Sequence, residues 1–286
     1  MSDGEQKLLD TRGQFVQVVE DGRKRNDIEW ISGRILLSNK RIVLVSNEGK
    51  QTVPLGKLTG VKASQMNQPL AQVEGYLTLQ FGANVMLVAP SEREEFRTEL
   101  YRVLLDQIVV LVKHPALKGG VVQDTNWEKA RLKFEEESLG LAITTGQFVE
   151  LELDDVGTVE QNEKAVMGEE RLVIEVEHTI EGTSVETHLS GNRRHMSILE
   201  GLARQGEQKN TTDVDLTQEE TEVLMALYSG VSPFEIPDFV GMDIEEVEDI
   251  YDRLIEAGIL EKVRTRREVS LMARGRNIAS ESMSEQ

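Results

Sequence analysis

After a polar lead of 14 residues, the chain settles into short apolar runs in which apolar and polar positions alternate. Phe15–Val19, Trp30–Leu37, Arg41–Ser46 and Gln51–Pro54 are separated by Gly22, the Ser38-Asn39 pair and Glu48-Gly49; Gly75–Phe81 and Val85–Ala89 follow. A period of two bounded by turn residues predicts strands. At Ser91 the period changes. Phe96, Leu100, Val103, Leu104 and Val110–Leu111 recur at helical spacing with one polar exception, Gln107, and Ser91 with Glu94 reads as a capping box. Many short strands closed by one helix suggest a pleckstrin-homology-like barrel.

The plan then repeats. Trp127–Glu136, Leu139–Thr144, Gln147–Leu151, Arg171–Glu177 and Ser184–Leu189 are strand candidates, and a helix over Asn192–Arg204 closes them. The best internal match sets Val53–Val61 against Leu151–Val159, with apolar residues coinciding at the first, third, sixth and ninth positions. Gln205–Asp215 follows as a polar stretch with almost no apolar side chain, and such composition predicts a linker.

Beyond it the helical period returns. Thr217 with Glu220 forms a capping box, Val223, Leu224, Leu227 and Tyr228 make an apolar face, and Gly230 ends that helix. Ser232-Pro233 starts a short helix to Val240, Gly241 turns, and Asp243 caps a third in which Ile244, Val247, Ile250, Tyr251, Leu254 and Ile255 are expected to be buried. Gly258 stops it, Ile259–Val263 and Glu268–Leu271 read as strands, and Arg264–Arg267 as the basic tip between them. That is the element order of a winged helix-turn-helix. The expected fold is thus α+β and multidomain: a first barrel-like domain over 1–120, a second over 121–205, a linker over 206–215, a winged-helix domain over 216–279 and a disordered tail over 280–286.

Charge changes this picture. The net charge is −19, distributed unevenly: residues 1–120 hold 16 basic and 14 acidic side chains, residues 121–210 hold 9 and 19, and residues 211–286 hold 7 and 18. A surface this acidic stays hydrated in concentrated salt, so a halophilic source is expected. The third helix of the last block sits where a winged helix reads DNA. Yet Asp243, Glu245, Glu246, Glu248, Asp249, Asp252 and Glu256 stand there against one base, Arg253. DNA binding rests on neutralising phosphates with Lys and Arg, so this helix predicts a protein partner and no nucleic acid.

The remaining composition mostly excludes. The chain has no cysteine, which removes disulfides, thiol catalysis and cysteine zinc sites. Its longest apolar stretch, Val103–Val112, is broken by Asp106, whereas a spanning helix needs roughly 20 apolar residues; a cytoplasmic protein without stable membrane insertion is expected. None of His114, His178, His188 and His195 has the spacing of a helical zinc site, and His178 and His188 read as solvated strand residues. Gly56-Lys57 lacks the flanking residues of a phosphate loop. No catalytic constellation, cofactor or metal site is predicted. Two basic clusters stand out: Arg23, Lys24 and Arg25 with Arg34, Lys40 and Arg41, suited to anionic lipid or an acidic protein, and Arg264, Arg266 and Arg267 with Lys262 in the wing. Sensory β domains on a winged-helix transcription regulator and a membrane-surface module are the competing readings.

Taken together, the Trp30–Arg41 segment, the Val53–Val61 segment and the acidic terminal module resemble the archaeal taxis adaptor family CheF. The resemblance covers nearly the whole chain. It implies a non-enzymatic adaptor between chemotaxis signalling and the archaellum. Its partners would be the phosphorylated response regulator CheY, CheC- and CheD-type proteins and cytosolic archaellum accessory proteins.

Overall fold

A computed structural model of the chain describes residues 4–26, 28–63, 73, 75–212 and 216–260. It divides into two units, Met1–Val214 and Asp215–Gln286.

The first unit holds two antiparallel sheets wired alike. In the first sheet, β1 (Lys7–Glu20), β2 (Arg23–Lys24), β3 (Ile31–Ser38), β4 (Arg41–Ser46), β5 (Gly49–Pro54), β6 (Leu58–Ala63), β7 (Leu77–Phe81) and β8 (Asn84–Pro90) precede α1 (Arg93–Leu105). In the second, β9 (Val109–Lys118), β10 (Val121–Val122), β11 (Glu128–Phe134), β12 (Ser138–Ile143), β13 (Phe148–Glu152), β14 (Val159–Val166), β15 (Glu169–Ile180) and β16 (Thr183–Ser190) precede α2 (Arg193–Thr212). The orders are β5-β4-β3-β1-β8-β7-β6 and β13-β12-β11-β9-β16-β15-β14, with β2 on β1 and β10 on β9. The Val53–Val61 match has a structural basis. Each copy runs from a strand through a single 3-10 turn (Leu55–Lys57, Leu153–Asp155) into the next strand, and Val53, Leu55, Leu58, Val61, Leu151, Val156 and Val159 are all buried.

The alternating pattern places Ile35, Leu37, Ile42, Leu44, Val53, Leu79, Met86 and Val88 on the inner face of the first sheet. Their core continues through Phe96, Leu100 and Tyr101 of α1 into Leu132, Leu141, Leu189, Met196 and Leu199 of the second half. Two glycines on α2 allow close approach. A Cβ at Gly201 would lie 2.3 Å from the Val61 carbonyl oxygen, and one at Gly206 would lie 2.3 Å from that of Leu153. Arg194 fastens the start of α2 to the first sheet, donating to the carbonyls of Leu58 (2.6 Å) and Leu55 (2.7 Å).

Several expectations need correcting. The helix after β8 starts at Arg93 without a side-chain cap; Ser91 stays beside the sheet, its N–H bonded to the Arg12 carbonyl (2.8 Å). Residues 109–118 form β9, the central strand of the second sheet, not the end of that helix or part of the first block. The proposed linker is largely helix, since α2 continues to Thr212. Its polar residues serve backbone groups between the 3-10 turn and β14: Glu207 accepts from the Val159 N–H (3.1 Å), and Asn210 donates to the Val156 carbonyl (2.9 Å).

In the second unit, α3 (Gln218–Tyr228), α4 (Ile236–Val240) and α5 (Ile244–Glu256) pack through Val223, Ala226, Ile236, Val247, Ile250 and Leu254. The Thr217–Glu220 capping box forms, with Glu220 N–H to Thr217 Oγ1 at 3.2 Å and Thr217 N–H to Glu220 Oε2 at 2.6 Å. Gly241 turns at φ 74° and Gly258 follows α5 at φ 71°, the left-handed backbone that favours glycine. The middle helix begins at Ile236, later than Ser232. Ile244, expected in the core, is 66% exposed: as the first residue of its helix it precedes the turn that faces inward. The expected wing, with Arg264, Arg266 and Arg267, and the expected tail fall on residues outside those described.

Candidate functional site

The basic residues of the first sheet do not form one patch. Arg23 and Lys24 pair with Glu20 and Val19 at one end of β1, while Arg34 pairs with Arg12. Val19 is seven residue steps along β1 from Arg12, roughly 23 Å at ~3.3 Å per residue. Arg34 and Arg41 are also engaged. Arg34 makes a two-pronged contact with Asp10 (3.1 and 2.7 Å) and Arg41 one with Glu5 (2.8 and 2.8 Å). The Arg34 guanidinium holds the Asp10 carboxyl below its usual range, against the opposing effect of burial. Lys40 is exposed. What projects outward together is the Arg23–Lys24–Arg25 hairpin, exposed throughout.

The acidic residues of α5 do come together. Asp243, Glu245, Glu246, Glu248, Asp249, Asp252 and Glu256 are all exposed, while Val247, Ile250 and Leu254 turn inward. The single base of this helix is committed elsewhere: Arg253 Nη2 lies 2.5 Å from Oε1 of Glu220, itself buried on α3. The outer surface of α5 is therefore strongly negative, with exposed Ile244 at one end and exposed Phe239 on the neighbouring α4. Such a surface repels phosphate and suits a basic or amphipathic protein segment.

His178 and His188 are not the solvated strand residues that the sequence suggests. His178 is 2% exposed and His188 7%, and alternation puts them on opposite faces of the second sheet. On one face, Thr187 Oγ1 lies 2.7 Å from His114 Nδ1 and 2.9 Å from His178 Nε2. Burial, and secondarily the other imidazole, pushes His114 down to about 4; burial also lowers His178, partly opposed by Asp155. On the other face, His188 stands in register with Glu175. No local spacing marks this cluster, because its members come from three strands. Two open grooves of about 350 and 410 Å³ share Arg171 and Gly191. Neither brings a nucleophile and a base together among the described residues.

The family of the archaeal chemotaxis signal transduction system protein F matches residues 7–209. The chain belongs to that family. The match spans both sheets and nearly all of α2, and a domain of unknown function matches residues 215–284, the helical unit. The chain is 48% identical to Taxis protein CheF1 of Halobacterium salinarum over 290 residues, covering all of both proteins. It is 28% identical to Taxis protein CheF2 of the same organism over 240 residues, 80% of this chain and 83% of that one. CheF membership gives the chain a role in archaeal chemotaxis signal transduction. The Halobacterium relatives accord with its acidic surface, and the family is one of signalling proteins rather than enzymes. Among the described residues no helix is long and apolar enough to cross a membrane.

Proposed function

We propose that the chain is a non-enzymatic cytoplasmic adaptor that links the phosphorylated response regulator CheY, with CheC- and CheD-type proteins, to archaellum accessory proteins and so controls motor switching. One observation carries this reading. The CheF match ends at residue 209, beside the division between units, and beyond it stands a separate helical unit with an uncompensated acidic face. A protein that joins partners needs surfaces of different character on separately built parts. The Arg23–Arg25 hairpin and the outer face of α5 are the two surfaces we assign to partners. We further read each sheet with its closing helix as a pleckstrin-homology-like barrel, and α3–α5 as the helical half of a winged helix. The negative α5 disfavours the transcription-regulator reading.

In a halophile cytoplasm the Debye length falls to about 3 Å at 1 M salt. The α5 carboxylates then act only on groups in contact with them. The test is CheY binding with and without a phosphoryl mimic, in molar KCl. We expect a marked preference for activated CheY, because a response regulator signals by shifting between conformers that a partner binds unequally. Equal affinity in the two states would overturn the adaptor mechanism.

A further inference from the structure

The face of the second sheet opposite the His114–Thr187–His178 set carries a second polar cluster that the adaptor reading does not use. Glu175 of β15 stands opposite His188 of β16, and Glu186 lies two residues before His188 on the same face. The ligating atoms of Glu175, Glu186 and His188 lie within 4.8 Å of one another. The His188 and Glu175 side chains are each 9% exposed and Glu186 24%. His188 Nε2 lies 3.4 Å from Glu175 Oε2 and in closer contact with a Glu186 oxygen.

Glu175 is also held from behind. Asn162 Nδ2 donates to Oε1 (3.0 Å) and Lys164 Nζ to Oε2 (2.6 Å). Orienting bonds of this kind surround metal-ligating carboxylates. A carboxylate oxygen has two lone pairs, so Oε2, which takes the Lys164 bond and lies 3.4 Å from His188 Nε2, can serve a second partner.

One imidazole nitrogen with two carboxylate oxygens suits Zn2+ and similar divalent ions, bound at about 2.0–2.2 Å. Neighbouring ligands around such a tetrahedral ion stand about 3.3–3.5 Å apart, which matches the 3.4 Å between Nε2 and Oε2. The Glu186 contact would open to the same spacing, and a fourth position would remain toward the more exposed Glu186 side. We propose that Glu175, Glu186 and His188 form a binding site for one divalent transition-metal ion of the Zn2+ or Co2+ type.

The site has a built-in reporter. The chain has two tryptophans, and the Trp127 ring lies 6.2 Å from that of His188. In the full chain carrying Trp30→Phe, Trp127 is the only indole, and Co2+ quenches a neighbouring indole. Titration with Co2+ in chelator-free KCl should give saturable quenching at one ion per chain together with the visible absorption of four-coordinate Co2+, both reversed by Zn2+. Glu186→Gln, which keeps the side chain's shape, and His188→Gln should each weaken the effect at least about tenfold. Glu163→Gln, on the exposed β14, should leave it unchanged and so separates the site from general binding to an acidic surface. Near-UV circular dichroism identifies any variant that has lost its fold, and Glu186→Gln carries the test if His188→Gln has. Absence of saturable quenching, or equal quenching in Glu186→Gln, would overturn the proposal.

Discussion

Thr187, wholly withdrawn from water on β16, is shared by two imidazoles, at 2.7 Å from His114 and 2.9 Å from His178. A hydroxyl donates once, so with both rings neutral one ring nitrogen accepts its proton and the other ring donates to its oxygen. A proton added to the accepting ring would leave the hydroxyl facing two donors, with its own hydrogen unplaced. That geometry adds to the burial that lowers both histidines, His114 to about 4. The sign follows from linkage. Between the ordinary value of about 6.5 and the native value, the unfolded chain binds protons that the native chain does not, so stability rises with pH through this window. Stability should be full above about pH 6.5 and fall as the pH drops toward about 4. Chemical unfolding in constant high salt from about pH 7 to 5.5, above the carboxylate range, checks this. His178→Asn should flatten the slope, and an unchanged slope would remove this pair as its source.

Among the elements, α2 does the most to join the two halves of the first unit. It reaches the first sheet through Arg194 and Gly201 and the second through Gly206, Glu207 and Asn210. Gly201→Ala sets two effects against each other. Alanine improves helix propensity by roughly 1 kcal/mol, but its Cβ would sit 2.3 Å from the Val61 carbonyl oxygen, with the backbone unable to yield cheaply. Overpacking of this kind costs about 1–3 kcal/mol. The variant should therefore melt several degrees lower. Gly56→Ala, whose Cβ would meet nothing within 4 Å, should melt within about 0.5 kcal/mol of the parent. Equal melting of the two would mean that α2 moves away without penalty.

Over the whole molecule, the net charge of −19 on 286 residues makes self-repulsion a term that salt controls. Residues 121–286 carry more than all of it, since residues 1–120 are slightly positive. At 0.1 M salt the Debye length is about 10 Å, so neighbouring carboxylates feel one another; at 1 M it is about 3 Å and they scarcely do. The melting temperature should rise steadily with KCl from about 0.1 M into the molar range. Hydrogen exchange at low salt should be fastest in α5, where seven acids face outward and Arg253 is turned back to Glu220. A melting temperature that stays level or falls with salt would show that repulsion is not what limits stability.

The sequence by itself determined the character of each stretch, because strand and helix leave their period in neighbouring residues. The alternation in Ile35–Leu37 and Ile42–Leu44, the Thr217–Glu220 cap and the turns at Gly241 and Gly258 all act within a few positions, and all were legible. So were the doubled plan, through Val53–Val61 and Leu151–Val159, and the acidic outer face of α5. Contacts between distant segments were decided only by the tertiary structure. Residues 109–111 look like the end of a helix until β16 and β11 flank them. Polar residues 205–210 look like a linker until the backbone at Val156 and Val159 turns up beside them. Arg34 and Arg41 look like members of a basic patch until Asp10 and Glu5 arrive from β1 and the segment before it. In the Glu175–Glu186–His188 cluster only the Glu186–His188 spacing lies along the chain; Glu175 joins through register, because hydrogen-bonded pairing between strands, not distance along the chain, sets which side chains meet and which of them leave water.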